Sequence, residues 1–137
     1  MPSKATLLLV DDNLVNLKLF KILLDAAGFE VHTAVDADTV REALRQLKPD
    51  LILMDIQLPG TDGLTLTREI KANPGLRDIP VVALTAYAMK GDDERAIASG
   101  CIGYITKPIE TTTFSETVAG FLDKHRHAGA AGGLRQS

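Results

Sequence analysis

The sequence predicts a single doubly wound α/β domain, with five parallel strands covered on both faces by helices. Three observations predict it. Five short apolar runs of strand length alternate along the chain with stretches of helical periodicity. The central run, Leu51-Ile52-Leu53-Met54, is apolar at every position, as a strand buried on both faces requires, and it ends in a carboxylate, Asp55. Polar side chains end four of the five runs, namely Asp11 and Asp12, Asp55, Thr85 and Lys107. Right-handed crossovers bring those ends to one edge of the sheet, where ligands bind in open α/β folds.

Each element has its own signal. Ala5 to Val10 is an apolar run that delivers Asp11-Asp12. From Leu14 to Ala27 the residues Val15, Leu19, Ile22, Leu23 and Ala26 recur with helical spacing and are expected to face the core; Asp12 or Asn13 caps the start and Gly28 stops the helix. Phe29 to Ala34 reads as a strand, and Val40, Leu44 and Leu47 mark a helix capped by Asp36 or Asp38. The Asp55 strand follows, bounded by Lys48-Pro49-Asp50 and Pro59-Gly60. Asp62-Gly63 opens a helix to about Ala72, with Leu66 and Ile70 inward and Asn73-Pro74-Gly75 closing it. Ile79 to Leu84 is the fourth strand, with Thr85 at its tip. A helix near Asp92 to Ser99 ends at Gly100, and Gly103 to Thr106 forms a short fifth strand before Lys107-Pro108. Phe114, Val118, Phe121 and Leu122 are the stripe of a last helix. The domain is thus expected over residues 5–124, with 125–137 a flexible tail that lacks any core-forming pattern.

Composition excludes several functions. With 15 Lys+Arg scattered among 18 Asp+Glu and a net charge of -3, no basic stripe for direct nucleic-acid binding is expected. One cysteine, Cys101, rules out an internal disulfide, and Cys101 with His32, His125 and His127 makes a poor zinc set. Cys101 is expected to be a small buried residue and His32 to face solvent or a strand neighbour. No apolar run approaches a membrane span and no secretory leader is legible, so a cytoplasmic location is expected.

Taken singly, the polar strand ends are ordinary: Asp11-Asp12 can cap a helix, Thr85 can sit in a turn, Tyr104 can be a half-buried strand aromatic, and Lys107 can be a solvated charge. Together they define a chemistry. If Asp11, Asp12 and Asp55 converge to about 5 Å, each pair repels by roughly 3 kcal/mol at an effective dielectric of 20. Lys107 alone cannot neutralise three acids, whereas a hard divalent cation such as magnesium (Mg²⁺) can. That ion takes one or two carboxylates, keeps water, and completes its shell with phosphate oxygens. A carboxylate can attack phosphorus while Mg²⁺, an ammonium and a hydroxyl spread the charge of the transferring group. Asp55 is the expected nucleophile, and Thr85 and Lys107 the oxygen ligands.

These residues in this order carry a resemblance. Asp11-Asp12, Asp55, Thr85, Tyr104 and Lys107-Pro108 resemble the motif set of the CheY-like receiver domains of two-component response regulators, over roughly Ala5 to Lys124. Asp55 to Pro59 and Thr85 to Asp92 look most like stand-alone receivers of the DivK type and receivers of hybrid histidine kinases. The resemblance implies the strand order 2-1-3-4-5. It also implies Mg²⁺ held by Asp12, Asp55 and the backbone carbonyl of Gln57, with Asp11 acting mostly through water, and a cis Lys107-Pro108 peptide. Asp55 would accept phosphoryl from a sensor histidine kinase or a histidine phosphotransfer protein. Thr85 would then move toward it and Tyr104 turn inward, changing the face of the fourth helix, fifth strand and last helix, which includes Ala88, Lys90, Asp93 and Tyr104. Gln57 and Tyr87 would tune hydrolysis, with Tyr87 partly shielding the acyl phosphate.

The expected role is therefore a signalling switch that catalyses only its own phosphorylation and dephosphorylation, as a monomer or a weak phosphorylation-dependent dimer. The main competitor, a Mg²⁺-dependent phosphatase with a free substrate, generally needs a second acid where Gln57 stands. A nucleotide-binding domain lacks its glycine patterns, and a binding-only pseudo-receiver is disfavoured by the intact acids, Thr85 and Lys107.

Overall fold

The computed structural model describes residues 5–58, 60, 62–85, 92–107 and 109–124. Five strands, β1 (Thr6–Val10), β2 (Glu30–Ala34), β3 (Leu51–Asp55), β4 (Val81–Thr85) and β5 (Gly103–Thr106), form one parallel sheet in the order β2-β1-β3-β4-β5. Between them lie α1 (Leu14–Ala26), α2 (Ala37–Gln46), α3 (Gly63–Ala72) and α4 (Asp92–Ala98), and α5 (114–124) closes the domain. None of the helices among the described residues is long and apolar enough to cross a membrane.

The central strands are apolar throughout because successive side chains enter different cores. Leu8, Val10, Ile52, Met54, Val81 and Ala83 pack with α2 and α3 on one face. Leu7, Leu9, Leu51, Leu53, Val82 and Leu84 pack with α1 and α5 on the other. Phe20 of α1 meets Phe114 of α5 at 5.2 Å between ring centroids, tilted by 50°, which joins the two helices over the sheet.

Helix starts follow their caps. Of the two candidates for α1, Asn13 caps it, its side chain accepting from the Val15 and Asn16 N–H groups. For α2 the cap is Asp36, in a reciprocal capping box with Thr39. Asp62 caps α3. Gly28 ends the α1 turn at a φ of 98°, where a side chain would be strained.

The expected core face of α1 is overturned. Val15, Leu19 and Ile22 are exposed, at 76%, 41% and 56%, and Ala26 is exposed too; the buried residues are Leu17, Phe20 and Leu24, with Leu23 partly buried. The helix carries two apolar stripes of the same period, and Phe20 selects the buried one by reaching Phe114. Smaller differences lie at element ends. The fourth strand starts at Val81 because Ile79 closes a turn on the Leu76 carbonyl, and it includes Thr85. Leu47 is the extended C-cap of α2. Cys101 is buried, and His32 pairs with Glu30 at 2.9 Å.

Candidate functional site

The β2-β1-β3 order makes β1 and β3 neighbours, with Val10 opposite Met54, so the residues that follow each of these, Asp11 and Asp55, lie side by side. Asp55 in turn pairs with Leu84, and Thr85 with Thr106, which brings Thr85 and Lys107 to the same edge. Asp11 and Asp55 make the same local turn. Each carboxylate accepts the N–H two residues on, Asn13 N–H to Asp11 Oδ1 and Gln57 N–H to Asp55 Oδ1, both at 2.9 Å. This leaves Oδ2 of each facing the other strand end.

Lys107 fills the space between them. Its Nζ donates to Asp11 Oδ2 at 3.0 Å and to Asp55 Oδ2 at 3.1 Å. Its own N–H donates to the Thr85 carbonyl at 2.6 Å, which fastens the end of β5 to β4. Asp11, Asp55 and Thr85 are buried, and Asp12 stands exposed on the rim. Burial raises the Asp55 pKa above its ordinary value, against the Gln57 N–H and the Lys107 ammonium, which lower it. Burial also works against the charge on Lys107, but Asp11 and Asp55 together outweigh it and hold its pKa above normal.

Asp11, Asp12 and Asp55 each offer one oxygen within a span of 4.8 Å. One ammonium against three acids leaves the cluster negative, and its donors are all hard oxygens. That set fits Mg²⁺ and does not fit a thiophilic metal. The structure thus brings Asp11, Asp12, Asp55 and Lys107 together and puts Thr85 at the same sheet edge. Tyr104 lies on β5, 42% exposed. Tyr87, Ala88, Lys90 and the Lys107-Pro108 peptide fall outside the described residues, as does the side chain of Asp93 and the segment 125–137.

One packing constraint behind Asp55 escaped the sequence reading. Gly63 donates its N–H to the Ile56 carbonyl at 2.8 Å, and a Cβ there would collide with the Asp55 carbonyl oxygen. The start of α3 thus abuts the backbone that carries Asp55. Asp62-Gly63 was legible as a helix start, but the close approach involves a backbone eight residues away and leaves no local signal.

Comparisons with known proteins agree with this geometry. A family model described as response regulator receiver domain matches residues 7–119. The polar-differentiation response regulator DivK of Brucella anthropi is 45% identical over 117 residues, covering 85% of this chain and 95% of that protein. The receiver domain of a sensor histidine kinase from Pseudomonas aeruginosa PAO1, solved with a magnesium ion in its active-site cleft, is 32% identical at a TM-score of 0.79, over 88% of this chain and 99% of that one. A CheY-like receiver domain protein from Methanospirillum hungatei JF-1 is 26% identical at a TM-score of 0.82, over 91% and 98% of the two chains.

Proposed function

The chain belongs to the response regulator receiver domain family of two-component signalling, and from that premise we propose that Asp55 is its phosphoryl acceptor. The observation that carries this reading is the Lys107 ammonium held between Asp11 and Asp55 at one sheet edge. Receiver domains are signalling modules, and the donor here would be a phosphohistidine of a histidine kinase or phosphotransfer protein. An oxygen of Asp55 forms a bond to phosphorus as the P–N bond breaks; the imidazole nitrogen keeps that electron pair and takes up a proton. Hydrolysis later returns the carboxylate and inorganic phosphate, with Gln57 and Tyr87 placed in sequence to tune its rate.

Asp12, Asp55 and the Gln57 carbonyl would hold Mg²⁺, with Asp11 beside them. When bound, the ion supplies positive charge to the phosphoryl oxygens. Lys107, 3.1 Å from Asp55, pairs with a phosphoryl oxygen once the carboxylate carries the phosphoryl group. The Thr85 hydroxyl donates to another. The movement of Thr85 and an inward turn of Tyr104 then alter the α4-β5-α5 face, the proposed readout surface.

The exposed stripe of α1 supports the choice of donor. Transfer requires the donor's imidazole to reach Asp55, so the donor must cover the adjacent rim. Leu14 and Val15, 70% and 76% exposed, begin α1 directly after Asp12-Asn13, and Leu19 and Ile22 extend the stripe away from the site. An apolar partner surface seated on α1 would bury this stripe while presenting its histidine.

Intact mass after incubation with acetyl phosphate and Mg²⁺ tests the chemistry. A single acid-stable, base-labile phosphoryl adduct is expected, lost in Asp55→Asn and when EDTA removes the metal. Absence of both the adduct and beryllofluoride binding by the same sample overturns the reading.

A further inference from the structure

Five polar residues are buried among those described: Asp11, Asp55 and Thr85 at the sheet edge, Ser99 just after α4, and Thr67 within α3. The Ser99 hydroxyl donates to the Arg95 carbonyl at the end of α4 and accepts from Arg68. Thr67 has no helix end to serve. It is wholly buried, on the helix that gives Leu64, Leu66 and Ile70 to the core, where a valine of the same shape would spare the cost of desolvating a hydroxyl. Its hydroxyl donates instead to the Gly63 carbonyl at 2.8 Å, one turn back along the helix. Gly63 is the residue that meets the site from behind. Its N–H donates to the Ile56 carbonyl at 2.8 Å, and it lies so close to the Asp55 carbonyl that no side chain fits. The Gly63–Ile56 bond draws together the two ends of the segment that carries Gln57, whose N–H is bonded to Asp55 Oδ1 at 2.9 Å. Gly63 is thus held at its N–H by the end of β3 and at its carbonyl by Thr67.

We propose that Thr67 is a positioning residue for the chemistry at Asp55, its hydroxyl holding Gly63, and with it the first turn of α3, against the backbone of Asp55 and Ile56. The inference rests on the receiver reading above and adds to it a group that touches neither phosphoryl nor metal. The Asp55 carboxylate is placed by the Lys107 ammonium at Oδ2 and by the Gln57 N–H at Oδ1. The second constraint depends on the path of the chain from Ile56 onward, which the Gly63 contact sets. Without the Thr67 hydroxyl, Gly63 keeps its helical partner, but the first turn of α3 is freer to lift from Ile56. The Gln57 N–H, and the Gln57 carbonyl proposed for Mg²⁺, then move with it. A small displacement is enough to slow attack on phosphorus, because the reacting atoms must be closely aligned.

The test compares Thr67→Val, which keeps the shape and removes the hydroxyl, with Thr67→Ser, which keeps the hydroxyl. On the full chain, the initial rate of labelling by acetyl phosphate at saturating Mg²⁺ is followed by intact mass, exchange of the Gly63 amide by ¹⁵N–¹H NMR without metal, and stability by the urea midpoint. Thr67→Val should be labelled about fivefold more slowly, the worth of one ordinary hydrogen bond, and its Gly63 amide should exchange faster by a similar factor. Its urea midpoint should stay at or above that of the wild type, because the Gly63 carbonyl keeps its helical N–H partner and a methyl group replaces a buried hydroxyl. Thr67→Ser should keep both the labelling rate and the protection of Gly63. The inference is overturned if Thr67→Val is labelled at the wild-type rate, if Gly63 exchange is unchanged, or if Thr67→Ser behaves as Thr67→Val does. It is overturned equally if the slower labelling comes with a lowered urea midpoint, which would make Thr67 a stability residue alone. A wild-type chain that takes up neither phosphoryl nor beryllofluoride overturns the receiver reading as well, whereas a labelled wild type beside an unaffected Thr67→Val overturns this inference by itself.

Discussion

With Lys107 Nζ 3.0 Å from Asp11 and 3.1 Å from Asp55, one ammonium serves two buried carboxylates, and a negative charge is left over before Asp12 is counted. Burial makes the ionised form of Asp55 costly in the fold, as its raised pKa records. Asp55→Asn removes that cost and leaves a balanced Asp11–Lys107 pair, so it is expected to raise stability at pH 7 by about 1–2 kcal/mol in urea denaturation. Lys107→Ala leaves two acids without their cation and is expected to lose about 3 kcal/mol in the same assay. Gly63→Ala forces its Cβ against the Asp55 carbonyl. It should cost on the order of 1–3 kcal/mol and slow labelling by acetyl phosphate, because the start of α3 or the end of β3 must move. The acids, Thr85 and Lys107 were legible because each interrupts an apolar pattern at a strand end. Gly63 was not, since its role depends on what stands opposite.

At the scale of elements, α1 shows where periodicity runs out. Its stripes Leu17-Phe20-Leu24 and Val15-Leu19-Ile22 obey the same helical repeat, and only the position of α5 decides which one is covered. Leu17→Ala or Phe20→Ala is expected to cost about 2–5 kcal/mol, by cavity formation. Ile22→Ser should change stability by less than about 0.5 kcal/mol. The same Ile22→Ser should slow phosphoryl transfer from a histidine phosphotransfer protein while leaving acetyl phosphate labelling intact; equal rates with the protein donor would sink the docking role. Across the sheet, the guanidinium of Arg41 holds the Glu69 carboxyl below its ordinary range. A lowered acid pKa contributes stability that is complete above the unfolded value near 4.5 and is lost as pH falls through the folded one. Glu69→Gln should therefore lower the urea midpoint slightly at pH 7 and by less as the pH is brought down below 4.5, and added salt should shrink the difference.

At the scale of the whole molecule, the site joins four strand ends that are distant in sequence, so anything bound there stabilises the fold as a unit. Saturating Mg²⁺ at about 100 times its dissociation constant should add about 2.7 kcal/mol, seen as a higher melting temperature. EDTA or Asp12→Asn should remove that increment. The fold class, the alternation of elements and the residues at the sheet edge were determined by the sequence alone, because buried parallel strands need unbroken apolar runs and a carboxylate at the end of such a run is conspicuous. The strand order was available in the sequence only through family resemblance. Which face of α1 is buried, the sharing of Lys107 between two acids, and the close approach of Gly63 to Asp55 were decided by tertiary structure. The physical reason is common to all three: each depends on groups brought together by packing from separate parts of the chain, and a local pattern holds no record of its distant partner.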